Sequence, residues 1–314
     1  MLKCYTFSKM SAIVEAEGLT KQFNSLVAVD GVTFQLQEGE ILALLGPNGA
    51  GKTTTVRLLA SVLVPTSGTA RVAGYDVVRQ AREVRRSVGL LTEFPALYLR
   101  MTADEYLDFF GKLYGVSSKE LALRKKLLLE RFGLIEARGR RIGEYSKGMR
   151  QKLALVRAML HSPLVLFLDE PTSAMDPQSA RIVREAIMEL RKEKRTAIIC
   201  THNLFEAQAL ADRIAVISRG KIVAIGTLEE LRKRYFGAPL LELKLARPCK
   251  EAASLVRRFA QVEEEGEDFV RYRTDEPVRV NPGIIKALTE IGAEVLYLQE
   301  LPATLEEIYL RIVS

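Results

Sequence analysis

The sequence predicts an α/β fold with a largely parallel sheet, interrupted by a helical block and followed by a small α+β domain. Three observations predict it. Short apolar runs at Ile41–Leu45, Leu164–Leu168 and Thr196–Cys200 have the length and composition of buried strands. Helix-patterned stretches separate them, which is the alternation of βαβ units. A glycine-rich segment, Gly46–Gly51, links the first run to the helix-patterned Lys52–Ala60.

The elements follow in order. Residues 13 to about 91 read as strands and turns leading into that strand-loop-helix. From about Thr92 to Leu160 the pattern turns helical, with helices expected over Asp104–Tyr114 and Lys119–Phe132. Pro163 opens the next buried strand, and a helix is expected from Pro177 to about Lys192. Ile214–Ser218 and Lys221–Ile225 flank Arg219-Gly220 and read as a hairpin. Gly237-Ala238-Pro239 marks a boundary after Phe236. Beyond it the reading is strand Leu240–Leu245, helix Glu251–Phe259, strand Phe269–Arg273, helix Pro282–Ile291, strand Glu294–Tyr297 and helix Thr304–Val313. The expected organisation is a tail over 1–12, a main domain over 13–236 with its helical part at about 92–160, and an accessory α+β domain over 237–314.

Composition narrows the class. With 48% hydrophobic and 27% charged residues, the 314-residue chain resembles ordinary folded proteins. No apolar run nears the roughly 20 residues that span a bilayer, so any channel must come from another chain. The opening MLKCYTFSKM lacks the apolar core of a signal peptide, and Met10 offers a second start. Cys4, Cys200 and Cys249 are far apart, which argues against a zinc site or a disulfide framework and fits a reducing compartment. The net charge of +7 is uneven: residues 237–314 hold 10 Lys/Arg against 14 Asp/Glu, leaving the first 236 residues at +11. A basic domain attracts nucleic acid, anionic lipid or nucleotide, or is simply a solvated surface.

Gly46–Thr54 reads GPNGAGKTT and matches G-x-x-x-x-G-K-[ST]. Backbone N–H groups of Gly46, Pro47, Asn48, Gly49, Ala50 and Gly51, save that of the proline, can turn towards phosphate oxygens, and the following helix adds its positive end. Lys52 would reach the β- and γ-phosphates, the Thr53 hydroxyl would bind Mg²⁺, and Thr54 completes the loop. The strand before and helix after separate this from a turn that binds nothing. Leu164–Glu170 then delivers two acids at the end of a buried strand, where ligands sit in open α/β sheets. Asp169 would hold Mg²⁺, usually through water, and Glu170 would act as general base. Taken alone, the two acids would read equally well as surface caps.

Tyr145–Gln151, YSKGMRQ, resembles the LSGGQ signature of ABC (ATP-binding-cassette) ATPases and lies 18 residues before Asp169, in the family's order. The resemblance covers residues 13–230 and implies a P-loop NTPase (RecA-like) cassette with a helical subdomain. In the family, Ser146 and Gly148 would present donors to the γ-phosphate held by a second subunit; Ser146 also reads as a plain N-cap of a helix over Met149–Leu160. Phe23 matches the aromatic that stacks on adenine, although by itself a Phe here reads more readily as a core residue. Ser173–Pro177 resembles the D-loop, whose Asp176 is also a good N-cap before Pro177. His202 matches the switch histidine that contacts γ-phosphate, although a lone His is often structural. Glu93 occupies the Q-loop position, where the family has Gln; it would add charge at Mg²⁺. The signature departs too, with Tyr145, Lys147 and Met149 where Leu, Gly and Gln are usual. This form, and the ending ATLEEIYLRIV, resemble the branch serving sodium-efflux and antibiotic-resistance exporters.

The resemblance implies an ATP-binding, ATP-hydrolysing transporter subunit, with ATP and Mg²⁺ as cofactors. It implies an integral-membrane permease as partner, a homodimer or heterodimer of ATPase subunits, and a place on the cytoplasmic face of the cell membrane. A second reading is a soluble ABC ATPase acting on nucleic acid or ribosomes, which the basic first domain permits. The single cassette and the lack of a heptad-bearing insertion or CxxC pairs weigh against it, and no nucleic-acid partner is expected. A third, a nucleotide sensor without hydrolysis, conflicts with Lys52 and Glu170. The cargo is not legible.

Overall fold

The computed structural model describes residues 12–173 and 175–313. The tail expected over 1–12, with Cys4 and Met10, lies up to Ser11 outside the described residues. Contacts divide the chain between Thr227 and Leu228 into two compact units, nine residues before the boundary expected after Phe236, because residues 228–236 form a helix that packs within the second unit.

In the first unit, β1 (Val14–Phe23) and β2 (Leu26–Leu36) form a hairpin turned at Asn24, whose φ is +49°. β3 (Ile41–Leu45) leads through the glycine loop into α1 (Lys52–Leu59). β4 (Ser67–Val72) and β5 (Tyr75–Asp76) complete an antiparallel sheet of order β2-β1-β4-β5. α2 (Ala81–Ser87) and β6 (Val88–Leu91) then return the chain to the central sheet. The helical block follows: α3 (Ala103–Leu113), α4 (Ser118–Arg131), two 3-10 turns, and α5 (Lys147–Met159). β7 (Val165–Asp169), α6 (Pro177–Lys192), β8 (Thr196–Thr201), α7 (Leu204–Leu210), β9 (Arg213–Ser218) and β10 (Lys221–Gly226) finish the unit.

The central sheet has order β10-β9-β3-β8-β7-β6, parallel except for the β9–β10 hairpin. β6 and β7 are adjacent and parallel, so the whole helical block is one long crossover between neighbouring strands. The strands are apolar on both faces because both are covered. Leu42 and Leu44 of β3, Phe167 of β7 and Ile198 of β8 pack with α1 and the antiparallel sheet. Ile41, Leu166, Leu168, Ala197 and Ile199 pack on the opposite face with α3–α6.

The second unit opens with α8 (Leu228–Phe236), whose Arg232 Nε donates to Ala303 O at 2.7 Å. β11 (Leu240–Leu245), α9 (Ala252–Val256), β12 (Gln261–Glu265), β13 (Phe269–Arg273), α10 (Pro277–Glu290), β14 (Val295–Glu300) and α11 (Leu305–Val313) follow. The sheet order is β12-β13-β11-β14, and α9 and α10 pack on one face over Leu243, Val270 and Tyr272. β12 and α10 differ most from the sequence expectation. β12 carries three successive glutamates, which disfavour a strand; here Arg273, Arg271 and Arg257 pair with Glu263, Glu264 and Glu265 respectively. α10 begins at Pro277, so Pro282 lies inside it. Its missing N–H would have bonded the carbonyl of Val278, a residue 90% exposed, where water can take over.

His161, in the loop before β7, stacks on Tyr114 with ring centroids 3.9 Å apart, and its Nε2 donates to Val88 O at 3.0 Å. Its Nδ1 is buried without a partner, so a proton there would find no acceptor. Burial accordingly pushes the imidazole down to about 4 from its usual value near 6.5. The folded state binds fewer protons than the unfolded one between those values, so this contribution is complete above pH 6.5 and is lost as pH falls towards 4. Lowering the pH from 7.5 to 5 should cost about 2 kcal/mol through this group. His161→Phe, which keeps a ring against Tyr114, should flatten the pH dependence of urea unfolding by that amount. A variant with the wild-type slope would remove His161 from this role.

Candidate functional site

The register of the parallel strands brings the predicted residues together. Leu45 of β3 lies beside Thr201 of β8, and Asp169 of β7 beside Cys200 of β8. The segments leaving the carboxyl ends of these strands therefore share one edge of the sheet: Gly46 onward, Glu170 onward and His202 onward.

The glycine loop is held by backbone contacts as well as shaped for ligand access. A Cβ on Gly46 would sit 2.2 Å from Ile217 O of β9, and one on Gly51 (φ +105°) 2.4 Å from Ala28 O of β2. Close approach to neighbouring strands therefore demands glycine at both positions, a reason beyond phosphate access. Ala50 O also accepts from Gly220 N at 2.9 Å. Lys52 is buried, and its Nζ donates to Gly46 O at 2.7 Å and Pro47 O at 3.1 Å. Thr53 Oγ1 donates to Asp169 Oδ2 at 2.7 Å. Burial pushes the Asp169 carboxyl up, and the charges of Glu170 and Glu93 add to this, against the Thr53 hydrogen bond and Lys52.

Glu170 stands in the left-handed region at φ +48°, a strained backbone for a residue with a side chain. Its N–H donates to Cys200 O at 2.9 Å. Its Oε1 accepts from His202 N at 3.2 Å and from His202 Nδ1 at 2.7 Å, which leaves Nε2 on a side chain that is 59% exposed. The His202 ring thus has a defined tautomer and an outward face. Glu93 is exposed, and its charge reaches Asp169.

Other predicted residues lie apart from this cluster. Phe23, at the end of β1, is 41% exposed with Lys21 Nζ 5.1 Å from its ring centroid, so it is not a core residue. Ser146 caps α5 through Met149 N at 3.2 Å; the helix begins at Lys147, two residues before the expected start. A Cβ on Gly148 would lie 4.0 Å from Met175 and from Ser179, beside the segment that Asp176 caps. Asp176 accepts from Ser179 N at 2.9 Å, and that bond holds its carboxyl below the usual range. The departures at the signature have structural uses: Tyr145 is buried with its hydroxyl donating to Ala137 O at 2.8 Å, and Met149 packs on the helical core, while Lys147 is exposed.

Sequence reasoning missed two buried polar residues next to the site. Gln151 lies with Nε2 3.5 Å from Glu170 O, and Glu206 accepts from Thr172 Oγ1 at 2.7 Å. Asn203-x-x-Glu206 has the pattern of a helix-capping pair, which disguised the acid.

Comparison with known proteins gives a consistent picture. The ABC transporter family pattern matches residues 29–173. The ABC transporter ATP-binding protein NatA of Bacillus subtilis is 43% identical over 205 residues, 65% of this chain and 83% of that protein. A daunorubicin resistance ATP-binding protein of Streptomyces coeruleorubidus is 38% identical over 300 residues, 95% of this chain and 91% of that protein, so the similarity extends through the second unit. Among solved structures, an ATP-binding subunit of an ABC transporter superposes with a TM-score of 0.68 at 30% identity, covering 72% of this chain and 94% of that one.

The packing of the glycine loop yields a test. Gly46→Ala should destabilise the fold by roughly 1–3 kcal/mol, the usual cost of overpacking. Gly139→Ala, with nothing within 4 Å of the added Cβ, should unfold in urea like the wild type. Equal midpoints for the two variants would contradict the close approach at Ile217.

Proposed function

The chain belongs to the ABC transporter ATP-binding protein family, and from that premise we propose that two such subunits close on two MgATP molecules to drive a membrane partner. It is an ATP-binding, ATP-hydrolysing subunit of the branch whose curated relatives include resistance and export proteins. No helix among the described residues is long and apolar enough to cross a membrane, and a transporter of this family implies a membrane component. We place the subunit on the cytoplasmic face of that component.

The observation that carries the reading is the convergence of Lys52, Thr53, Asp169, Glu170 and His202 at the ends of three parallel strands. ATP phosphates would lie in the Gly46–Thr54 loop, against its N–H groups and the first turn of α1. Phosphate oxygens would compete with the two loop carbonyls for the Lys52 ammonium. Phe23 would offer an exposed ring to adenine.

Mg²⁺ fits the residues present: the Thr53 hydroxyl and Asp169 carboxylate are two hard oxygens side by side, in a place where negative charge is poorly balanced. Thr53 and Asp169 would hold the ion, directly or through water, with Glu93 near it, and it would neutralise phosphate charge. Glu170 would take the proton of the attacking water. The His202 Nδ1–H keeps that carboxylate oriented and leaves Nε2 to face the γ-phosphate.

Ser146 and Gly148 lie at the start of α5, and they would act on the nucleotide of the second copy, with Asp176 at the same seam. The second unit carries none of these residues. Its role is therefore sought in coupling or assembly.

Glu170→Gln should bind MgATP as the wild type does and hydrolyse it at least about 100-fold more slowly, because the amide keeps the shape without the basicity. Lys52→Ala should instead lose nucleotide affinity by about tenfold or more. Titration with a fluorescent ATP analogue and a phosphate-release assay separate the two effects. Wild-type turnover in Glu170→Gln would remove it as the base, and unchanged affinity in Lys52→Ala would undo the phosphate-loop assignment.

A further inference from the structure

α7 carries a buried acid that the roles above leave without a task. Glu206 is 2% exposed, and Arg184 acts on it only as a distant charge. Its partners are hydroxyls. Thr172 Oγ1 donates to Oε1 at 2.7 Å, and the nearby Thr201 hydroxyl favours the charged form of the same carboxyl group. Thr172 lies two residues after Glu170, on the way to Asp176; Thr201 directly precedes His202.

The local capping shows that the carboxyl is not used to start its own helix. In a capping pair the acid reaches back to the N–H of the cap residue. Here that N–H, on Asn203, donates to Thr201 Oγ1 at 3.0 Å, while Asn203 Oδ1 accepts from Glu206 N at 3.2 Å. The Glu206 side chain is therefore free to turn inward. An apolar residue would fill the same buried space without the desolvation that a carboxylate suffers. What the carboxylate adds is a fixed spacing between two chain segments.

We propose that Glu206 is a positioning residue for ATP hydrolysis: it ties the segment leaving β7 to α7, the helix that follows His202, and thereby fixes Glu170 against His202. The need for such a tie is visible in the backbone. Glu170 sits in the left-handed region, a conformation that persists only where its surroundings enforce it. The Glu170–His202 contact of 2.7 Å spans two strand ends, and Glu206, four residues after His202, is bonded to Thr172, two residues after Glu170. The proposal rests on the assignment of Glu170 and His202 above, but its geometry does not.

The test uses the full-length chain with Glu206→Leu, which keeps burial, and Glu206→Gln, which keeps an acceptor oxygen for the Thr172 hydroxyl. Both should bind the fluorescent ATP analogue within about threefold of the wild type. kcat should fall roughly 100-fold in Glu206→Leu, the order expected for a misplaced catalytic group, and recover most of that in Glu206→Gln. In a Glu170→Gln background, Glu206→Leu should add no further loss, because the group it positions is already disabled.

A second readout does not depend on turnover. The chain has two histidines, so His161→Phe assigns the ring resonances of ¹³C-histidine-labelled protein. The His202 signals should move in Glu206→Leu while those of His161 stay. Unmoved His202 signals overturn the proposal, as does wild-type kcat in Glu206→Leu or an equal further loss on top of Glu170→Gln. His202 signals that move in Glu206→Leu, with a wild type that does not hydrolyse ATP, would uphold the tie and refute the hydrolytic reading instead.

Discussion

Everything at this site depends on the register of three buried parallel strands. β8 lies between β3 and β7, and hydrogen bonds along both ladders fix where each strand ends relative to the next. A slip of one residue in such a strand would turn every side chain to the opposite face. Both faces are packed, one against α1 and the antiparallel sheet and the other against the helical block, so each strand position is specified by two cores at once. That rigidity lets short polar segments beyond the strands hold distances of 2.7 Å between side chains far apart in sequence, as between Thr53 and Asp169.

The site then tolerates features that would be costly elsewhere. Asp169 is buried beside other carboxylates, and Glu170 has a strained backbone. Neither would persist on a mobile loop. The Glu170 N–H bond to Cys200 O and the His202 bonds to the Glu170 carboxylate over-determine its position, and Glu206 extends the same logic to the segment after it. The residues at the start of α5 differ: Ser146 and Lys147 are exposed, which the proposed contact with a second copy requires.

The sequence made the local chemistry legible where chemistry demands residue types in order. The GPNGAGKTT loop between a buried run and a helix, and the two acids ending LVLFLDE, needed no three-dimensional knowledge to place. Boundaries were harder. β12 went unread because three adjacent glutamates look like a solvated turn until arginines from β13 and α9's end are seen to neutralise them. α10 was started five residues late because Pro282 reads as a helix start, and only its exposed setting lets the helix run through it. Gly46 was read for phosphate access, whereas packing against Ile217 also requires it. Glu206 was hidden because its spacing from Asn203 imitates a cap; the bond from Asn203 N to Thr201 that frees it is invisible in sequence.

The central claim is that each hydrolytic site is shared between two copies, with the phosphate loop from one and the start of α5 from the other. Mixing two inactive variants tests it most directly. Lys52→Ala disables the loop and spares α5, whereas a Ser146→Arg/Gly148→Asp double variant obstructs α5 and spares the loop. Each alone should be inactive. Mixed in equal amounts and allowed to exchange, half the dimers pair one of each and hold one intact shared site, so about a quarter of the wild-type rate should return. A mixture that stays inactive despite demonstrated exchange, or a Ser146→Arg/Gly148→Asp variant that hydrolyses ATP normally by itself, would contradict the shared site.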